Sequence, residues 1–138
     1  MKNKVIGYWT TTAILAFVLV TGGAAQMARL PGNVEGIVHL GYPVYFLTIL
    51  GAWKILGGIA VLAPRAPRLK EWAYAGAFFE LTGAAASQAA CGEAAFHILV
   101  PLALAACAVA SWALRPRDRM LGSLVPGDAH ALVSEART

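Results

Sequence analysis

Four long apolar runs alternate with short polar connectors along the chain. Val5 to Ala28 carries no charge before Arg29, and its Thr10–Thr12 and Thr21 hydroxyls can bond back to a helix backbone. Gly41 to Ala63 is interrupted by Lys54, and Trp72 to Ala90 by Glu80. Ala94 to Leu114 is uncharged and contains Pro101. Crossing about 30 Å of hydrocarbon takes about 20 helical residues, so each run is long enough to span a bilayer. The runs lack the alternation of a β-barrel, and open sheets do not survive in lipid. The pattern therefore predicts an all-α protein, a four-helix transmembrane bundle with spans over 5–28, 41–63, 72–90 and 94–114.

The connectors carry turn formers: Pro31-Gly32-Asn33, Pro64-Arg65-Ala66-Pro67 and Cys91-Gly92-Glu93. Between Pro31 and Gly41, Val34, Ile37 and Val38 recur at helical spacing, which predicts a short interfacial helix. Residues 1–115 form the membrane domain in this reading, and residues 116–138 a polar, flexible tail. Lys2 and Lys4 followed by an apolar run ending at Gly23-Ala24-Ala25 also have the parts of a signal peptide. The run exceeds the 7–15 apolar residues usual for one, so it reads as a retained span.

Composition fits this picture. Of 138 residues 59% are hydrophobic and 13% charged, and the mean hydropathy is +0.64. So short a chain cannot hide that much apolar surface from water. Disorder is excluded, a water-soluble enzyme is disfavoured, and two Cys cannot build a disulfide scaffold. The net charge of +4 has an order to it. Lys2, Lys4, Arg65, Arg68, Lys70, Arg115, Arg117, Arg119 and Arg137 fall on one side of four spans, and Arg29 alone on the other. The positive-inside rule then places the N and C termini in the cytoplasm and predicts a multi-pass protein of the cytoplasmic membrane. The partner of these charges is the lipid bilayer, with no nucleic acid implied. Tyr8, Trp9, Tyr42, Tyr45, Trp72, Tyr74 and Trp112 read as interfacial aromatics.

Lys54 and Glu80 are the most informative residues. A charge at mid-bilayer costs at least about 2.5 kcal/mol unless it meets a partner or a wet cavity. At the helical rise, Lys54 lies about 20 Å and Glu80 about 18 Å below the outer edge. Gly51, Gly57 and Gly58 flank Lys54 on its stripe, and Gly76, Gly83, Ala84 and Ser87 flank Glu80. Small residues let membrane helices approach closely. The expectation is a Lys54–Glu80 pair between two tightly packed helices. It serves either as a register-fixing ion pair or as a proton-handling or polar-ligand site.

The outer side collects Gln26, Glu35, His39, Gln88, Glu93 and His97. Their spacing does not support a metal site, and they read as separate solvated groups. His97 reads as a simple interfacial residue or, as the candidate of the group to point inward, lies along a stripe with Pro101, Leu104, Ala108 and Ser111. Cys91 and Cys107 fall at different depths, too far apart for a disulfide, and read as packing residues. No Gly-rich phosphate loop or catalytic triad is visible, and no cofactor is evident.

The stretches Gly41-Tyr42-Pro43-Val44-Tyr45-Phe46, Ile49-Leu50-Gly51-Ala52-Trp53-Lys54-Ile55-Leu56-Gly57-Gly58, Leu69-Lys70-Glu71-Trp72-Ala73-Tyr74-Ala75-Gly76 and Leu81-Thr82-Gly83-Ala84 occur in this order. Over roughly residues 10–115 the chain resembles the DoxX-like family of small bacterial membrane proteins. The resemblance implies a four-helix membrane protein. It also implies company with membrane redox complexes, since the wider family includes a subunit of a thiosulfate:quinone oxidoreductase. Lys54, Glu80 and their glycines match the family pattern, whereas relatives often carry His where this chain has Gln88.

Two functional expectations follow. One is a non-catalytic accessory or scaffolding subunit that docks a redox-enzyme partner, or a second copy of itself as a homo-oligomer. The other is a quinone-linked oxidoreductase component using Lys54 and Glu80, which requires a roomy apolar cavity reaching the pair. Small-molecule transport is a weaker third, for want of an inverted repeat.

Overall fold

The computed structural model describes residues 1–121. Most of the expected tail, residues 122–138, lies outside the described residues. Among those described, five α-helices and one short 3₁₀ turn make up the fold: α1 Lys2–Met27, α2 Pro31–His39, α3 Tyr45–Leu62, α4 Pro67–Ala90, α5 Ala95–Ala113, then Arg117–Arg119. No strand is present among them. Three helices, α1, α3 and α5, are long and apolar enough to cross a membrane. α4 is as long, but Glu80, Ser87, Gln88 and its many Ala and Gly residues leave it less apolar than those three.

Local chemistry sets the helix ends. α2 and α4 each open with Pro at the first helical position, where its missing N–H costs nothing. Gly41 and Gly92 follow α2 and α4 in the left-handed region, at φ +85° and +70°. At the end of α2 the Gly41 and Tyr42 N–H groups return to the Val38 and Ile37 carbonyls, a Schellman closure. Gly92 and Glu93 close α4 on Ala89 and Gln88 in the same way. Arg29 ends α1 likewise at φ 50°, without glycine's freedom. Because Gly41 and Pro43 are spent on this turn, α3 starts at Tyr45, four residues later than the apolar run.

α1 packs most extensively on α3 and next on α5, while α4 lies against α5 and, less closely, α3. The core runs through Leu15, Leu19, Val61, Tyr74, Leu81, Ala105 and Ala108. It contains a polar hub. Ser111 shares one hydroxyl contact with Thr12 at 2.7 Å and another with Tyr74 at 2.7 Å, joining α1, α4 and α5 where all three groups are buried.

The end of the bundle holding the start of α1 and the end of α5 is unexpectedly polar inside. Lys70 is fully buried, and its ammonium donates to the Val61 and Ala60 carbonyls, the negative end of α3. Glu71 accepts from Arg115 Nη2 at 2.6 Å and from Trp112 Nε1 at 2.8 Å. Arg119 donates to the Tyr8 hydroxyl at 3.3 Å and lies over the Trp9 ring. Tyr8 and Tyr74 are thus core residues rather than part of an interfacial belt. Lys70 and Arg115 are buried inside the bundle, where they tie neighbouring elements together.

Candidate functional site

Lys54 sits mid-way along α3 and Glu80 mid-way along α4, and Lys54 Nζ lies 3.1 Å from Glu80 Oε1. The side chains keep 18% and 23% of their surface, so the pair is sheltered without being sealed.

The small residues around the pair do two different jobs. Gly51 and Gly58 give close approach, but to α1. A Cβ on Gly51 would stand 2.6 Å from the Gly23 carbonyl oxygen, and one on Gly58 would stand 2.7 Å from Val20 Cγ2. A Cβ on Gly23 would meet the Gly51 carbonyl oxygen at 2.7 Å and Lys54 Cβ at 2.9 Å. The lysine stem is therefore rooted in the α1–α3 contact, and its ammonium reaches across to α4. Gly57, Gly76 and Gly83 have open space where a side chain would be. This corrects the expectation of tight α3–α4 packing through all five glycines. On the α4 side the small residues create volume instead of contact.

That volume is two cavities, and Leu50, Lys54 and Glu80 line both. The inner one, about 420 Å³, runs toward the start of α4 between Leu19, Trp53, Leu56, Gly57, Leu69, Trp72 and Gly76. Its lining is apolar apart from the ion pair. Trp53, Leu56, Leu69 and Trp72 are all well exposed, so it opens sideways on the apolar surface of the bundle. The outer one, about 450 Å³, runs toward α2 and collects Gln26, Asn33, Tyr42, Ser87 and Gln88. Both volumes fall in the ordinary range for small-molecule sites, about 300–1,000 Å³.

Above the outer cavity three residues read as separate come together. Glu93 Oε1 lies 2.7 Å from His39 Nε2, and Glu93 Oε2 lies 3.0 Å from His97 Nδ1. An ionised carboxylate only accepts, so each facing ring nitrogen carries a proton. The hydrogen bond from His97, with His39 nearby, holds the Glu93 carboxyl below its ordinary range. His97 is exposed and turned to Glu93, so it does not point inward along its stripe. The i,i+4 spacing of Glu93 and His97 carried that signal, but the arrival of His39 from α2 is a tertiary fact. No group of three His, Cys, Asp or Glu among the described residues is arranged to hold a metal ion. Gln88 lines the outer cavity, while Cys91 and Cys107 are unpaired thiols on α4's end and α5.

These features define a helical membrane protein with a charged pair between two cavities. The DoxX-like family model matches residues 10–111, and the chain belongs to that family. The chain is also 39% identical over 49 residues to an uncharacterized protein, YdgD, of Bacillus subtilis (strain 168). That stretch covers 36% of this chain and 43% of YdgD, so the match spans under half of either. No solved structure matches the chain.

Proposed function

We propose that this protein crosses the cytoplasmic membrane four times and serves there as the membrane subunit of a redox complex, binding the head group of a quinone-class lipid at Lys54 and Glu80. The observation that carries this reading is the inner cavity. It is apolar, opens on the face that lipid would cover, and ends on one ammonium and one carboxylate. A ring with two oxygens on an apolar tail fits such a lining: Leu56, Leu69 and Trp72 would hold the tail, and the Lys54 ammonium would donate to an oxygen. When bound, a quinone would supply two-electron chemistry, with the electrons coming from a partner subunit. Glu80 would take part in proton transfer there only when the Lys54 ammonium has turned from it to the head group.

α4 completes the four crossings because its mid-span charge is paired inside the bundle. Lys2, Lys4, Arg65, Arg68, Lys70, Arg115, Arg117 and Arg119 cluster at the end away from α2, which supports a cytoplasmic location for that end.

Titration of the detergent-solubilised protein with a short-chain ubiquinone analogue tests the ligand reading. Saturable quenching of tryptophan emission is expected, because Trp53 and Trp72 line the cavity. The quenching should fall in W53F/W72F and weaken in K54L/E80L. Quenching no stronger than that of a tryptophan peptide in the same micelles would overturn it.

A further inference from the structure

The outer cavity differs from the inner in a way that the quinone reading does not use. Gln26 Oε1 is buried and has no hydrogen-bond partner among the described residues. Gln26 lines this cavity together with Asn33, Ser87 and Gln88. An orphaned buried acceptor costs about 1–3 kcal/mol unless water or a ligand donates to it. The cavity is roomy and polar enough to hold that water. Its lining charges, Lys54 and Glu80, cancel, so it selects for polarity rather than for one sign of charge.

α2 forms the roof. It buries a single side chain, Ile37, and lies between the two left-handed residues Arg29 and Gly41. Two straps fasten it to the far wall. Tyr42 and Ser87 share a hydroxyl contact at 2.9 Å, and Glu93 takes His39 at 2.7 Å while holding His97. The His39 side chain is 63% exposed, so this strap is weak enough to open.

We propose that the outer cavity is a hydrated vestibule, a second binding site in which water and small polar solutes reach Glu80 from the aqueous side. α2 is its hinged roof, and Glu93 is the clasp. Apolar molecules and polar ones then approach one carboxylate from opposite faces. The vestibule does not depend on what occupies the inner cavity.

Two glycines give a matched test. Gly83 lines only the outer cavity and Gly57 only the inner, and each has open space for a side chain. Gly83→Cys and Gly57→Cys are made with Cys91→Ser and Cys107→Ala. Membranes are freeze–thawed with the hydrophilic sulfonate reagent MTSES, so that both faces are reached. Gly83→Cys is expected to react at least about tenfold faster, because only a solvated thiol ionises readily, and its thiolate attacks the reagent's sulfenyl sulfur and displaces methanesulfinate. Apolar benzyl methanethiosulfonate, which should modify both, verifies that each protein is folded and its thiol free. Equal MTSES rates, fast or slow, would overturn the vestibule. Adding Glu93→Gln or His39→Ala should speed Gly83→Cys about two- to fivefold, the range of an exposed ion pair. No change in either would overturn the clasp and leave α2 a fixed roof.

Discussion

Gly23 on α1 and Gly51 on α3 oppose each other so closely that each occupies the space of the other's missing side chain. A Cβ on either would fall 2.7 or 2.6 Å from the other's carbonyl oxygen, and backbone cannot step aside as a side chain can. Gly23→Ala and Gly51→Ala should each cost about 1–3 kcal/mol, the range for overpacking. Gly58→Ala should cost less, because its nearest obstacle is a Val20 methyl. Gly57→Ala should be neutral or stabilising by up to about 1 kcal/mol, since only helix propensity changes there. Thermal unfolding of the detergent-solubilised variants reads this order, and equal losses at Gly51 and Gly57 would contradict it.

Removing one member of the central ion pair should hurt more than removing both. Lys54→Leu leaves the Glu80 carboxylate without its counter-charge between two cavities, and partial exposure limits the loss to about 1–3 kcal/mol. Lys54→Leu with Glu80→Leu should recover most of that loss. A double variant as unstable as the sum of the two single ones would mean that the two groups act independently.

The buried hub on Ser111 gives a graded series. Ser111→Ala strands the Thr12 and Tyr74 hydroxyls together and should cost about 1–3 kcal/mol. Tyr74→Phe leaves the Thr12–Ser111 contact intact and should cost about 0.5–1.5 kcal/mol. Calorimetric or fluorescence melts of the two variants should differ in that order.

Glu93 sets a pH dependence. Its carboxyl is held below its ordinary range by His97 and His39, so its contribution to stability is full above the unfolded value of about 4.3. As the pH falls through the lower folded value, that contribution disappears. The stability gap between the wild type and Glu93→Gln should therefore close as the pH falls below about 4. A gap that persists undiminished in acid would contradict the pairing.

The sequence announces the helices because lipid imposes length and apolarity, and both can be counted along a chain. It also announces α2, from Pro31 and three apolar residues at helical spacing. The meeting of Lys54 with Glu80 is legible because two charges at one depth in oil have few alternatives to each other. Which helix face the glycines serve is not legible. Gly51 and Gly57 look alike in the sequence, and only Gly23, far upstream and unremarked beside Lys54, decides that one is a contact and the other a wall of open space. The roles of Lys70 and Arg115 are hidden for a related reason. A basic residue near a helix end fits the charge rule whether it faces lipid head groups or, as here, turns inward to carbonyls and to Glu71.

The Ser111 hub also bears on the order in which the chain is made. Thr12 on α1 and Ser111 on α5 are separated by 99 positions, so α1 is made well before its partner on α5. Until α5 arrives, the Thr12 hydroxyl has its own helix backbone to turn to, and the Tyr74 hydroxyl lacks its Ser111 partner. A chain that ends before α5 therefore lacks the one hydroxyl that ties α1 to α4 at this level of the bundle.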